Sequence, residues 1–400
     1  MTTAPLTIVD ALLPDGSVTS LRIADGVVAA VGVDAAPGDT VIDARQRLLL
    51  PAMAEAHAHL DKAFLAETIP NPRGDLMGAI IGMEEHRHLI TRADTEVRAE
   101  RAARLLAANG ATAIRTHADL TTANGLMSVE ALLAVRDRLA HLVQIQVIAL
   151  NGWPSVGPEG ADQRALLREA VALGIDGIGG CPHLENEPFA ATDGFLELAG
   201  EAGLLVDLHT DEHTDAHRLT LEYLAERVVA TGFTHGVTAS HCVSLGMQPI
   251  DVQRRVADKV AAAGISVVAL PSSNLYLQGR DLQECMPRAL TAVRALRDAG
   301  VDIAAGADNL QDPFNLVGRG DCLETASLMV MAGHLLPDDA YRCVSSATRS
   351  AMGLPRAGTT PGDVADLVLV PARSVREAVA FGPGDRTVFR AGNLIDPSHN

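Results

Sequence analysis

Short apolar pieces open the chain: LTIVDALLP, SVTSLRIADGVVAAVG and TVIDARQRLLLP, punctuated by Asp15-Gly16, Asp25-Gly26 and Pro37-Gly38. Runs of strand length broken by turn dipeptides predict β-hairpins. ADLVLVPA and TVFRAGNLID near the far end have the same texture, with a hairpin turn expected at Arg390-Ala391-Gly392-Asn393. Between these ends the pattern changes to apolar runs alternating with Ala-, Leu- and Arg-rich segments, which is the pattern of repeated βα units. Eight strands are expected, in LLLPAMAEAHAHL, ATAIRTHADL, LVQIQVIAL, GIDGIGGC, LLVDLH, GVTASHC, ISVVALP and VDIAAGAD. The helical segments between them include DTEVRAERAARLLAANG, SVEALLAVRDRLAHL, GADQRALLREAVALG, TDGFLELAGEAG and DVQRRVADKVAAAG, several closed by a glycine stop. A doubly wound sheet would bring a phosphate-binding glycine fingerprint, and neither G-x-G-x-x-G nor G-x-x-x-x-G-K-[ST] occurs. The expected fold is therefore a (β/α)8 TIM barrel over residues 51–355. A small β-sandwich domain is built from both chain ends, residues 1–50 and 356–400.

Composition narrows the partners. Fifty acidic against 32 basic residues give a net charge of −18, which opposes polyphosphate and anionic lipid, so nucleic acid and membrane surfaces are excluded as expected partners. No apolar run reaches the roughly 20 residues of a spanning helix, and Met1 to Ile8 lacks a basic segment ahead of an apolar one. The five cysteines, Cys181, Cys242, Cys285, Cys322 and Cys343, are odd in number and form no C-x-x-C pair, which suits buried free thiols in a reducing compartment. A cytoplasmic protein acting on a small neutral or cationic molecule is expected.

In a barrel, polar residues that terminate apolar strands gather at one mouth, and these carry the chemistry. His57-Ala58-His59 ends the first strand, where alternation aims both imidazoles at one point. Fourteen histidines in 400 residues give roughly half an H-x-H match by chance, so the motif alone is weak. A second match, His86-Arg87-His88 within MEEHRHLITR, reads as a solvated face. The first gains weight from three further strand ends, His209, His241 and Asp308. Imidazoles and one carboxylate make a cage suited to Zn or Fe with room for a water, which such an ion activates near neutral pH. Glu212, beyond His209, is the expected proton carrier, although Asp211 and His213 share its segment. Ser240-His241-Cys242 suggests a nucleophile beside a base, yet neighbours on a strand face opposite ways.

At this point the chain resembles the amidohydrolase superfamily, within it the cytosine-deaminase-like branch and the triazine-ring N-alkylaminohydrolases. The resemblance runs nearly end to end through PAMAEAHAHLDK, RTHADL, GGCPHLE, LHTDEHTD, TASHC, LQGR and GADNLQDPF, in that order. It implies one divalent metal, Zn or Fe, on His57, His59, His209 and Asp308. It further implies a water hydrogen-bonded by His241, with Glu212 and Asp308 sharing acid and base duties. Relatives with two metals bridge them by a carboxylated lysine on the fourth strand; here the only lysines are Lys62 and Lys259, so one metal is expected. Barrels of this branch are often multimers, so a homo-oligomer is expected too.

Two departures bear on substrate. Cytosine deaminases carry a glutamine after the third strand that reads the pyrimidine edge, and here Gly152 stands at the matching place. They also have two adjacent aspartates after the eighth strand, where this chain has Asp308-Asn309. Cytosine is therefore disfavoured. Lys62, Trp153, Asn309, Phe314 and His183 are the expected substrate contacts; His117 and His183 also end strands two and four and suit a supporting role behind the site. The expected activity is hydrolytic removal of an amino or alkylamino group from a pyrimidine, pterin or triazine. Hydrolysis of a cyclic amide or N-acyl bond at the same metal is the alternative, and a metal-holding scaffold without catalysis is the non-enzyme reading.

Overall fold

The computed structural model describes residues 5–396; the outermost residues assigned to the end domain, 1–4 and 397–400, lie outside them. Five strands come first: β1 (Leu6–Leu12), β2 (Val18–Ala24), β3 (Val27–Val31), β4 (Thr40–Asp43) and β5 (Leu48–Pro51). Eight follow: β6 (Met53–Ala58), β7 (Ala111–Leu120), β8 (Gln144–Asn151), β9 (Gly177–Gly180), β10 (Leu205–Thr210), β11 (Val237–His241), β12 (Ser266–Ala269) and β13 (Ile303–Ala305). The last three are β14 (Leu367–Val370), β15 (Thr387–Arg390) and β16 (Asn393–Leu394).

Strands β6 to β13 form one sheet in sequence order, parallel throughout, each pair bridged by helical chain. This is the TIM barrel. Helices Arg92–Ala108, Met127–Arg138, Ala161–Ala172, Pro188–Ala202, Leu221–Thr231 and Ile250–Ala262 cover its outside. Closing glycines sit left-handed where the helical segments were expected to stop, with Gly110 at φ +97° and Gly203 at φ +70°, a conformation that glycine adopts freely.

The first and last barrel strands meet over a short seam. Ala58 bridges Asp308, with His59 N–H donating to the Asp308 carbonyl (3.0 Å) and Asp308 N–H to the His57 carbonyl (2.9 Å). Below this bridge the Glu55 carboxyl stands in for backbone, Oε1 accepting from His57 N–H (3.1 Å) and Ala307 N–H (3.0 Å). Burial pushes the Glu55 pKa up to about 8, so it is protonated at neutral pH. A Cβ on Gly306 would stand 2.6 Å from Glu55 Oε1, so glycine is required for this approach.

The end sheet runs β16-β15-β14-β5-β1-β2-β3, with β4 on β1. Its path curls until the β15–β16 turn touches the β2–β3 hairpin, Gly26 against Ala391 and Gly392 against Ile23. Leu21, Leu49, Leu367 and Phe389 fill the resulting core. The hairpin turn expected at Arg390–Asn393 is present. One expectation fails for the thiols: Cys285 is exposed, lying in an irregular stretch, while Cys242, Cys322 and Cys343 are buried. No helix among the described residues is long and apolar enough to cross a membrane.

Candidate active site and metal centre

Alternation along the barrel strands turns two inward ladders toward the axis, Arg115, His117 and Asp119 on β7 and Asp207, His209 and Asp211 on and just past β10. The lowest layer is ionic. Arg115 donates to Asp207 Oδ2 (2.8 Å) and to Thr238 Oγ1 (3.0 Å), with guanidinium and carboxylate both fully buried. Burial alone would raise the Asp207 pKa, but His117 and Arg115 together hold it below the usual carboxylate value. Ser240 Oγ spends its one hydrogen on Asp207 Oδ1 (2.9 Å), so it accepts from Nδ1–H of His57 (2.9 Å). The proton is thereby fixed on Nδ1, and Nε2 of His57 is left as a bare lone pair.

Two more ring nitrogens crowd that lone pair. His209 Nε2 lies 3.2 Å from Nε2 of His57 and 3.2 Å from Nε2 of His59. Asp308 Oδ1 lies 3.2 Å from His59 Nε2 and 3.7 Å from His57 Nε2, and it has no hydrogen-bond partner. Ser273 hydroxyl donates to the other oxygen of Asp308. Burial, seconded by the neighbouring cations and imidazoles, drives the pKa of His57, His59 and His209 well below the ordinary histidine value, so all three are neutral. The bare Nε2 of His57 and the orphaned Asp308 oxygen, crowded by two further neutral imidazoles at these separations, are unfavourable without a cation between them. Tetrahedral bonds of about 2.0–2.1 Å place donor atoms about 3.3 Å apart, which matches. The residues therefore fit a divalent ion. His117 also stands in this cluster: it stacks on His57 with ring centroids 3.9 Å apart, and its Nε2 lies 3.6 Å from Asp207 Oδ1.

Removing the hydroxyl that orients His57 is a direct check. Ser240→Ala should weaken metal affinity about 10- to 100-fold, read by competition with a chromophoric chelator, and unchanged affinity would refute the tautomer argument.

His241 follows Ser240 and would face outward by alternation, but φ +69° at its end of β11 turns it back to the axis. Asp308 (φ +64°) and Asp211 (φ +50°) hold the same uncommon conformation. Asn274 Nδ2 donates to His241 Nδ1 (3.2 Å), so the His241 proton sits on Nε2, a buried donor with no protein partner. Burial lowers the His241 pKa to about 4. Glu212 Oε1 lies 3.6 Å from His241 Nδ1, and burial followed by the nearby Asp308 charge raises the Glu212 pKa well above normal. Asp211 is turned away, capping the chain through Thr220 and Leu221. Ser240 and Cys242 are buried off the cavity wall, and the Cys242 thiol faces the Ala239 carbonyl (3.6 Å).

These groups floor a cavity of about 310 Å³ at the barrel mouth. His59, Lys62, Trp153, His209, Glu212, His241, Asp308, Asn309 and Phe314 all contribute to its surface. Lys62 Nζ is 2.6 Å from Asp119 Oδ1, 2.9 Å from His59 Nδ1 and 5.6 Å from the Phe314 ring. Burial works against its charge, but Asp119, Asp61 and Asp312 keep it protonated. Asn309 is braced by Asp312, which accepts its amide at 2.8 Å. His183 corrects the expectation of substrate contact: it lies behind the wall, its Nδ1 3.0 Å from the His209 carbonyl, because the short helical turn Pro182–Leu184 directs it at β10. Asp119, Asn151 and Cys181 reach the cavity without having been singled out. Asp119 was detectable, since it stands two residues beyond His117 on the same face of a strand.

The sequence pattern that defines the amidohydrolase family matches residues 73–390, well over half of the chain. The chain belongs to the amidohydrolase family. Pterin deaminase of Rhizobium rhizogenes strain K84 is 35% identical over 385 residues, covering 94% of this chain and 87% of that protein. The crystal structure of 5-methylcytosine deaminase from Klebsiella pneumoniae superposes with a TM-score of 0.88 at 30% identity, over 98% of this chain and 97% of that one. N-isopropylammelide isopropylaminohydrolase from Burkholderia multivorans gives 0.85 at 29% identity, over 98% of each chain. This amidohydrolase is thus a metal-dependent hydrolase of carbon–nitrogen bonds.

Proposed function

We propose that this amidohydrolase removes an amino or alkylamino group from a small nitrogen heterocycle, with a pterin-like ring ahead of a triazine or simple pyrimidine. The observation that carries the reading is the convergence of three neutral imidazoles and the orphaned Asp308 oxygen beneath a cavity that Glu212 and His241 also face. In this reading His57, His59, His209 and Asp308 hold one ion, Zn or Fe, at the floor. Such an ion supplies Lewis acidity, making water a nucleophile near neutral pH.

Glu212 takes a proton from the attacking water and returns it to the leaving nitrogen, a task suited to a carboxyl whose proton affinity burial and the Asp308 charge raise above the ordinary value. His241 donates from Nε2 to the oxygen that attacks the ring carbon. Asp308 is the second carboxylate near that oxygen and shares the proton traffic with Glu212. Lys62, held by Asp119, offers its ammonium to a ring carbonyl, and Asn309 offers the amide oxygen that Asp312 leaves free. Trp153, 41% exposed, and Phe314 flank a flat ring. A homo-oligomer in the cytoplasm remains part of this reading.

Gly152 supplies no side chain to read a cytosine edge, and a Cβ there would come within 3.1 Å of Thr121 Cγ2, 3.2 Å of the Leu120 carbonyl and 3.4 Å of Gln163 Oε1, so a larger residue would need these neighbours to give by a few tenths of an ångström. Incubating the metal-loaded enzyme with pterin, 5-methylcytosine, N-isopropylammelide and a set of lactams tests the reading. Release of ammonia or amine from the aminated rings is expected. Ring opening of lactams alone would overturn deamination in favour of cyclic-amide hydrolysis.

A further inference from the structure

The chain between β6 and the helix Arg92–Ala108 is an insertion over the barrel mouth. It is built as a helix, Leu76–Glu85, then a single tight turn, Arg87–Leu89. Asp75 starts the helix by accepting from Gly78 N–H, and His86 Nδ1 ties its end to the Gly82 carbonyl (2.9 Å). Leu76, Ile80, Met83 and Ile90 give the cavity an apolar side wall. At the end of that wall the character changes, because Arg87 also faces the cavity.

Two cations line the cavity among the described residues, Lys62 and Arg87. Lys62 is engaged by Asp119 at 2.6 Å. Arg87 is half-buried and makes no ion pair or side-chain hydrogen bond among the described residues. Its guanidinium nitrogens keep contact with solvent, so the fork is free to take an acceptor that enters the cavity. Glu84, one turn earlier on the same wall, is exposed and does not pair with it. Beyond Arg87 the cavity continues into an outer cleft, shared through Glu84, Arg87, Ile90, Ala123 and Asn124. The facing loop supplies Thr122 and Asn124, whose amide can present either end. From floor to rim the order is therefore metal ligands, flat polar and aromatic walls, an apolar flank, then one free cation.

We infer that Arg87 selects heterocycles bearing an anionic substituent, a carboxylate, on the side of the ring remote from the amino group that is removed. The inference rests on the deaminase reading of the cavity and adds to it the charge and polarity of the far end of the substrate. The ring's reacting edge lies at the floor, its body spans the apolar flank, and the carboxylate meets the guanidinium fork at the rim. A fork can hold a carboxylate through two parallel bonds, which a lysine cannot reproduce. The chain's net charge of −18 gives no long-range attraction for such a substrate, so the preference has to come from this local contact.

The test compares a pterin carrying a carboxylate on its pyrazine ring with the matching primary carboxamide. Both kcat/KM and the equilibrium dissociation constant are measured, for the wild-type holoenzyme and for Arg87→Gln, Arg87→Lys and Glu84→Gln. The wild type should favour the carboxylate about 10- to 100-fold. Arg87→Gln should bring the ratio to about one, Arg87→Lys should give an intermediate ratio, and Glu84→Gln should raise it. Metal content and circular dichroism confirm that each variant is folded. Deamination of both compounds without preference, or a preference that survives Arg87→Gln, overturns the inference and leaves the deaminase reading standing. Arg87-dependent binding of the carboxylate with no deamination of either compound sustains the inference and defeats that reading.

Discussion

Glu212→Gln is expected to abolish most turnover while leaving the metal in place. The amide matches the carboxyl in size but can neither take a proton from water nor return one to the leaving nitrogen. The four proposed donor atoms, Nε2 of His57, His59 and His209 and Oδ1 of Asp308, are untouched by the change. Metal per chain should stay at the wild-type value while kcat falls about 10²–10⁴-fold, the usual worth of a positioned acid–base group. Asp308→Asn makes the contrast, since it should lower metal content and rate together. The pair is read by elemental analysis and steady-state kinetics on the same preparations. A Glu212→Gln enzyme with undiminished kcat would remove this carboxyl from the mechanism.

Stripped of metal, the protein should lose stability steeply as the pH falls below 6.5. Burial lowers the pKa of His183 to about 3 and of His241 to about 4, against an ordinary value of 6.5. Burial also places His57, His59 and His209 well below that value, with neighbouring imidazoles and Lys62 adding to the effect. Between pH 6.5 and the folded-state pKa values, the unfolded chain binds protons at these sites and the folded chain does not. The contribution of these histidines therefore declines as acid is added below pH 6.5, by up to about 1.4 kcal/mol per pH unit for each, and outweighs the opposite contribution of the fewer buried carboxyls with raised pKa values, Glu55 and Asp312 among them. Urea titrations in chelator at pH 7.5, 6.0 and 5.0 should show the midpoint falling sharply. A midpoint that holds steady over this range would mean that the imidazoles are not kept neutral in the folded state.

Much of this architecture is legible in the sequence because barrels put their chemistry where apolar runs stop. The eight strand segments, the histidines at 57, 59, 209 and 241 and the carboxylate at 308 could be picked out by that rule alone. What escaped notice depends on backbone turns that no periodicity encodes. His241 sits next to Ser240, yet both reach inward because the chain reverses its local hand at φ +69°. Arg87 was read with its neighbours as solvated, and for His88 the reading holds, since it is exposed. A single tight turn nevertheless aims Arg87 at the cavity, and whether an insertion folds back over a barrel mouth or extends from it is decided by tertiary packing. His183 shows the converse limit: its place at a strand end suggested contact with substrate, but a three-residue helical turn sends it to the His209 carbonyl.

The short seam between β6 and β13 gives the metal a second consequence. His57 and His59 stand on one lip of that seam and Asp308 on the other, joined directly by only a few backbone bonds and the Glu55 carboxyl. With the proposed ligands, an ion gripping both lips would act as a clasp on a hoop, fastening segments from opposite ends of the barrel's sequence and removing freedom from the opened chain. Catalytic competence and closure of the hoop would then be linked: stripping the ion would loosen the ring, and springing the ring would weaken its hold on the ion.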